Sequence, residues 1–143
     1  MNLLLTGSFN YTEQHITSLQ TLGYKTYFIQ QESDKLPLPT DEIDAVVCNG
    51  LFLHHNIDKF TRLKYIQLTS AGLDRVPIDK IQERNIVLCN ARGVYSIPMA
   101  EWTIFRVLEH YKDANFFHNE QLNKQWIKNR QLKEINGCRV GII

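Results

Sequence analysis

Short apolar runs recur along the chain, and between them apolar residues fall at helical spacing. Residues 2 to 5 form the first run and end at Thr6-Gly7; Tyr24 to Ile29, rich in aromatic and β-branched residues, is the second. Ile43 to Cys48 is almost uninterrupted in apolar character, as a parallel strand covered on both faces should be, and it runs into Asn49-Gly50. Tyr65 to Thr69 and Ile86 to Cys89 complete five expected strands. Asn10-x-x-Glu13 gives a capping-box pattern ahead of Ile16, Leu19 and Leu22, with Gly23 as the natural end of that helix. Ile57, Phe60 and Leu63 after Asn56 mark a short helix, and Pro77 to Arg84 marks another, Pro being harmless where the first N–H has no helical partner. The stretch with Pro37 and Pro39 is too punctuated for regular structure. Strand and helix alternating with short connections predict an α/β fold, a flavodoxin-like parallel sheet with helices on both faces.

A further helix is expected to start near Ile97 and to run from Pro98 to about His118, apolar around more than one face through Met99, Trp102, Ile104, Phe105 and Leu108. At 1.5 Å per residue such a helix spans about 30 Å, so it reads as a bridge leaving the first domain. The expected boundaries are 1–96 for the compact domain and 97–143 for the bridging helix and the C-terminal residues beyond it.

Composition narrows the function. Across 143 residues the net charge is +1, which gives no electrostatic case for nucleic acid or an anionic membrane as partner. The opening MNLLLTG lacks the positive flank and length of a signal peptide, and no run approaches the roughly 20 apolar residues of a membrane span. Cys48, Cys89 and Cys138 are odd in number and sit in or beside strand-like runs, which suits reduced, packed thiols and a cytoplasmic location. Adjacent His54 and His55 bring no third metal ligand with them.

In an open α/β sheet, ligands sit outside the carboxyl ends of the strands, which directs attention to Asn49-Gly50, to Ser70-Ala71-Gly72 and to the segment after Cys89. Glycine allows close approach, so both Gly-containing turns are suited to presenting backbone N–H groups to a carboxylate; ordinary strand-end turns are the alternative. Arg92 offers a planar fork to an anion or is simply solvated. Glu101 is explained by the helix dipole in a first turn.

LKYIQLTSAGLD from Leu63, IVLCN from Ile86 and GVYSIPMAE from Gly93 to Glu101 agree in order and spacing with the N-terminal part of the D-isomer-specific 2-hydroxyacid dehydrogenases, which the chain resembles essentially throughout. GCRVGII, from Gly137 to Ile143, resembles the strand leading into that family's G-x-G-x-x-G turn, so residues 97–143 are expected to hold the bridging helix and the start of a truncated Rossmann domain, the chain ending at its first strand before that turn. The resemblance implies an oxidoreductase that transfers a hydride between NAD or NADP and a 2-hydroxy or 2-oxo acid, assembled as a homodimer. It implies that backbone amides of Asn49 and Gly50 hold the substrate carboxylate and that Ser70, Ala71 and Gly72 line the cleft. Tyr95 matches a tyrosine that faces substrate in lactate-type members, a half-buried packing role being the alternative. Thr103 matches a helix position near the nicotinamide, although a helical Thr also satisfies its hydroxyl on a backbone carbonyl. The family's catalytic Arg, Glu and His lie beyond Ile143. The chain alone is therefore expected to be inactive and to bind cofactor poorly. The rival reading is a non-catalytic binding module, either a dehydrogenase-like corepressor or a receiver; Gly7, Asn49, Thr69 and Asn90 after the strands disfavour the receiver, which needs an acidic cluster there.

Overall fold

The computed structural model describes residues 1–142 and divides at Val94/Tyr95 into two compact units. The first carries five strands: β1 (Asn2–Thr6), β2 (Lys25–Ile29), β3 (Ala45–Cys48), β4 (Tyr65–Leu68) and β5 (Val87–Cys89). All pair in parallel, in the order β2-β1-β3-β4-β5, the flavodoxin-like order expected from the sequence.

Alternation along the strands decides which face each side chain covers. Leu3, Leu5 and Ala45 pack beneath helix α1 (Glu13–Thr21) through Ile16 and Leu19. Leu4, Val46, Cys48, Ile66 and Leu68 face the other way, into the larger core with Ile43, Ile57, Phe60 and Ile81, the last from helix α2 (Ile78–Glu83). The larger core owes much of its volume to chain without α-helix. Leu51–Leu53 and Ile57–Lys59 are 3-10 turns, tighter than the helix expected after Asn56, and they still bury Leu51, Ile57 and Phe60. Phe60 is the largest fully buried side chain, and truncation to Ala at such a site costs roughly 3–5 kcal/mol. Arg84 closes this region by donating to the carbonyls of Ile57 at 2.8 Å and Phe60 at 2.5 Å.

Two expected helix ends are corrected. Helix α1 begins after Thr12, whose hydroxyl accepts from His15 N at 3.3 Å while Thr12 N donates to His15 Nδ1 at 3.2 Å; the reciprocal pair is made by Thr12 and His15, and Asn10 lies outside the helix. In the second unit the single helix expected from Pro98 to His118 is two: α3 (Ser96–Tyr111) and α4 (Ala114–Leu122). Asp113 adopts a left-handed conformation (φ 47°) between them, a region Asp tolerates better than most residues. With α3 starting at Ser96, Glu101 lies past the first turn, so the dipole account given for it does not hold. The run from Gly137 forms a turn and then non-strand backbone through Ile142, with no partner strand among the described residues; Ile143 lies outside them.

Candidate functional site

The carboxyl edge of the sheet brings two of the expected loops together. Strand register aligns Cys48 with Leu68, and Thr69 N donates to Cys48 O at 2.9 Å, so Asn49-Gly50 and Ser70-Ala71-Gly72 leave adjacent strands side by side. Asn90, after β5, ties in the third loop. Its side-chain amide donates to Ala71 O at 2.7 Å, and Ala91 N donates to Ser70 O at 2.9 Å. Ser70 Oγ donates to Gly72 O at 3.0 Å. The carbonyls of Ser70, Ala71 and Gly72 are thus all engaged within these loops.

The Asn49 and Gly50 amides hold a carboxylate, that of Glu32. Its Oε1 accepts from Asn49 N at 2.6 Å and its Oε2 from Gly50 N at 2.5 Å. Buried Thr6, at the end of β1, donates to Oε1 at 2.8 Å; with its one proton so used, Thr6 Oγ1 accepts from Ser8 Oγ, also 2.8 Å away. Three donors on one ionised carboxylate form short, charge-assisted bonds. Gly50 is buried, and a Cβ there would stand 3.4 Å from Glu32 Oε2, 3.3 Å from Leu53 Cδ1 and 3.8 Å from Arg75 Cδ.

The electrostatic consequence reaches the neighbours. Burial, reinforced by the charge of Glu32, pushes the Cys48 thiol up to about 12, so the thiol is neutral and inert near pH 7. Burial likewise raises Tyr11 to about 12, with Cys48 and Glu32 adding to it. A cavity of about 270 Å³ opens beside Glu32, lined by Gly7, Ser8, Ser33, Asn49 and His54. A larger one, about 680 Å³, lies towards β2 and is walled in part by Phe9, Tyr11, Tyr27 and Phe28. The smaller cavity is the one that adjoins the amide pair.

A model of the D-isomer specific 2-hydroxyacid dehydrogenase catalytic domain matches residues 4–138. The chain belongs to this family. Solved structures with the same fold include an NAD-dependent formate dehydrogenase from Staphylococcus aureus in complex with NAD (16% identity, TM-score 0.67), the match covering 89% of this chain and 43% of that one. An NADPH-dependent glyoxylate/hydroxypyruvate reductase from Sinorhizobium meliloti, solved with citrate, is similar at 16% identity and TM-score 0.69, over 93% of this chain and 42% of that one. The D-mandelate dehydrogenase of Rhodotorula graminis is similar at 14% identity and TM-score 0.58, over 87% and 40%. This 2-hydroxyacid dehydrogenase family chain thus spans less than half the length of these proteins. No curated protein is close enough in sequence to count as a match.

Of the residues expected from the sequence, Asn49, Gly50, Ser70, Ala71 and Gly72 share one edge of the first unit, whereas Tyr95 and Thr103 belong to the second. Tyr95 precedes α3, its carbonyl accepting from Met99 N at 3.0 Å. Thr103 Oγ1 donates to Met99 O at 2.8 Å, the local bond that a helical threonine makes. Arg92 is exposed after β5. His55 Nε2 lies 2.9 Å from Glu32 O, and among the described residues no group of three or more His, Cys, Asp or Glu is placed to hold a metal. Sequence reasoning missed Glu32 and Thr6. Glu32 sits in a polar stretch between β2 and β3, where nothing distinguishes it from its polar neighbours until the folded sheet brings that stretch over the end of β3.

Proposed function

We propose that this chain supplies the substrate-binding part of an enzyme that transfers a hydride between NAD or NADP and C2 of a 2-hydroxy or 2-oxo acid. The substrate carboxylate is received by the Asn49 and Gly50 amides, with Ser70, Ala71 and Gly72 lining the cleft; the roles of Tyr95 towards substrate and Thr103 towards nicotinamide rest on family membership alone. One observation carries the reading: the amide pair at the end of β3 already binds a carboxylate oxygen on each N–H, in a position where buried Gly50 keeps the approach open. Family membership supports the rest.

When bound, the cofactor would accept the hydride from a 2-hydroxy acid or donate it to a 2-oxo acid; this chain's part is to hold and orient the acid. Fixing the carboxylate at two amides orients C2 relative to the rest of the cleft, and orientation of this kind lowers the barrier through proximity. The 143 residues by themselves are expected to show no saturable NAD(P)-dependent turnover. A homodimer in the cytoplasm is part of the same reading. It is supported by the large apolar side chains that α3 exposes, by three unpaired cysteines and by the lack, among the described residues, of a helix long and apolar enough to cross a membrane.

Ligand-observed NMR with glycolate and its neutral analogue glycolamide tests the binding claim. Only glycolate is expected to bind saturably. Equal binding of both would remove the carboxylate from the account.

A further inference from the structure

Pairing between β4 and β5 continues past the strands, first through backbone and then through a side chain. Gln67 is aligned with Cys89, and beyond that register Ala91 N donates to Ser70 O at 2.9 Å. The next carbonyl along, that of exposed Ala71, is held by Asn90, whose Nδ2 donates to it at 2.7 Å. We infer that Asn90 is a positioning residue of the acid's cleft: by holding Ala71 O it fixes the plane of the Ala71–Gly72 peptide, and with it the direction in which this loop presents its backbone. The inference rests on the reading that Ser70, Ala71 and Gly72 line the cleft, and it does not depend on which amides receive the carboxylate.

The plane in question needs a hold from outside. Glycine on its far side has no Cβ to resist rotation, so the peptide can turn over at little steric cost. The bonds on either side grip neighbouring planes. Ala91 N fixes the Ser70–Ala71 peptide through Ser70 O, and Ser70 Oγ, donating to Gly72 O at 3.0 Å, fixes the peptide after Gly72. Between them, Ala71 O is the handle that Asn90 takes.

What the handle controls is the sign of the local dipole. In a trans peptide C=O and N–H point opposite ways, so Ala71 O directed at Asn90 sends Gly72 N–H away from the loop after β5. Were the plane to turn over, a carbonyl oxygen would take the place of that N–H. An anionic acid is attracted by the first arrangement and repelled by the second.

Asparagine suits the task because one planar group serves two partners. Nδ2 donates to Ala71 O while Oδ1 accepts from Arg92 N at 3.4 Å. Turned over, the amide would set Oδ1 against Ala71 O, two acceptors facing each other, so the partners fix its orientation. Aspartate has the same size but no proton to donate when ionised. Asn90 belongs to neither hydrophobic core, so its replacement should act on the loop and leave the sheet intact.

The test titrates glycolate at pH 7 into the ¹⁵N-labelled 143-residue chain and its Asn90→Ala and Asn90→Asp variants, reading Kd from the Ser70, Ala71 and Gly72 amide shifts beside thermal melts. Asn90→Ala is expected to raise Kd about three- to tenfold, the factor one lost hydrogen bond carries, with the melting temperature unchanged. Asn90→Asp should bind at least as weakly. In that variant without ligand, the Gly72 amide shift should return to the wild-type position as pH falls and the carboxyl gains a proton to donate. Its midpoint should lie above the ordinary aspartate value of about 3.9, because the bond to Ala71 O favours the protonated form. Asp74 is close by, a Cβ on Gly72 falling 2.7 Å from its Oδ1, so wild type titrated over the same range supplies the baseline. Wild-type affinity in both variants would overturn the role of Asn90 and leave the cleft standing. Weakened binding without acid recovery in Asn90→Asp would mark a general loosening of the structure and overturn it as well. Glycolate that shifts none of the three amides in wild type would overturn the reading of the cleft and the inference with it.

Discussion

Glu32 Oε2 and Gly50 N stand 2.5 Å apart, joining the segment after β2 to the end of β3 across 18 residues of chain. The contact depends on glycine for space rather than for backbone conformation. Gly50 has φ −132°, which any residue adopts, but a Cβ would lie 3.4 Å from Oε2 and 3.3 Å from Leu53 Cδ1. Replacement by Val, whose branch adds atoms beyond that Cβ, crowds the seat that any carboxylate must use. We expect Gly50→Val to weaken glycolate binding by more than tenfold and to cost about 1–3 kcal/mol of stability through overpacking. Ligand titration beside thermal melts separates the two effects. Unchanged affinity in a folded variant would place the acid elsewhere.

Gly7 is constrained more severely. A Cβ there would lie 2.3 Å from the backbone oxygen of Gln30, and Gly7 N donates to Ile29 O at 2.9 Å. Backbone cannot rotate out of the way as a side chain can, so Gly7→Ala must shift the β1–β2 edge. Chemical denaturation should show a loss of about 1–3 kcal/mol or more.

Asp44 makes the fold sensitive to acid. Its carboxylate is buried; burial works against the charge, but Asn2 N at 2.7 Å and the Arg62 fork at 2.8 and 3.1 Å outweigh it and hold the carboxyl below the ordinary carboxylate range. A folded value below the unfolded one means that the stabilisation is complete above the unfolded carboxylate value of about 3.9 and is lost as pH falls through the folded value. Because Arg62 is 56% exposed, the pair is screened, and Asp44→Asn should cost only about 1–2 kcal/mol at pH 7. Denaturation curves from pH 7 down to pH 2 should show the two proteins converging at the acid end. A constant difference would contradict the assignment.

The cysteines should divide in native protein. Cys48 is buried and its thiol is pushed up to about 12, whereas Cys89 and Cys138 are exposed, contrary to the packed placement that their strand-like surroundings suggest. A thiol reagent at pH 8 should label Cys89 and Cys138 rapidly and reach Cys48 only after unfolding. Rapid labelling of all three would show that the core around β3 opens.

Helix α3 carries the case for self-association. Trp102 is 62% exposed and Phe105 50%, with Ile97, Met99 and Ile104 also open, and exposed apolar side chains of this size are what the proposed homodimer would cover. Sedimentation velocity over a concentration range should show a reversible dimer, and Trp102→Glu should weaken it at least tenfold. A strictly monomeric wild type would contradict the proposed homodimer.

The sheet was legible because strand and helix signals agree locally: Val46 and Ile66 sit in apolar runs that end in glycine-containing turns, and the parallel order follows from short right-handed connections. Helix ends were less legible. Thr12 rather than Asn10 caps α1 because His15 closes the reciprocal bond from a position where the usual pattern has Glu or Gln, and Asp113 breaks α3 from α4 through a backbone conformation that its neighbours do not announce. The two turns at Asn49-Gly50 and Ser70-Gly72 were visible as glycine next to strand ends. Their occupant was not, since the approach of Glu32 to Gly50 is a contact between loops that only the folded sheet creates.

The measurement that bears most directly on the account is a crystal structure of the wild-type chain soaked with glycolate at high concentration. The expected result places the glycolate carboxylate within hydrogen-bonding distance of Asn49 N and Gly50 N, in place of the Glu32 carboxylate and beside Ser70, Ala71 and Gly72. Glycolate bound instead in the larger cavity by Phe9 and Tyr11, with Glu32 still on both amides, would contradict it.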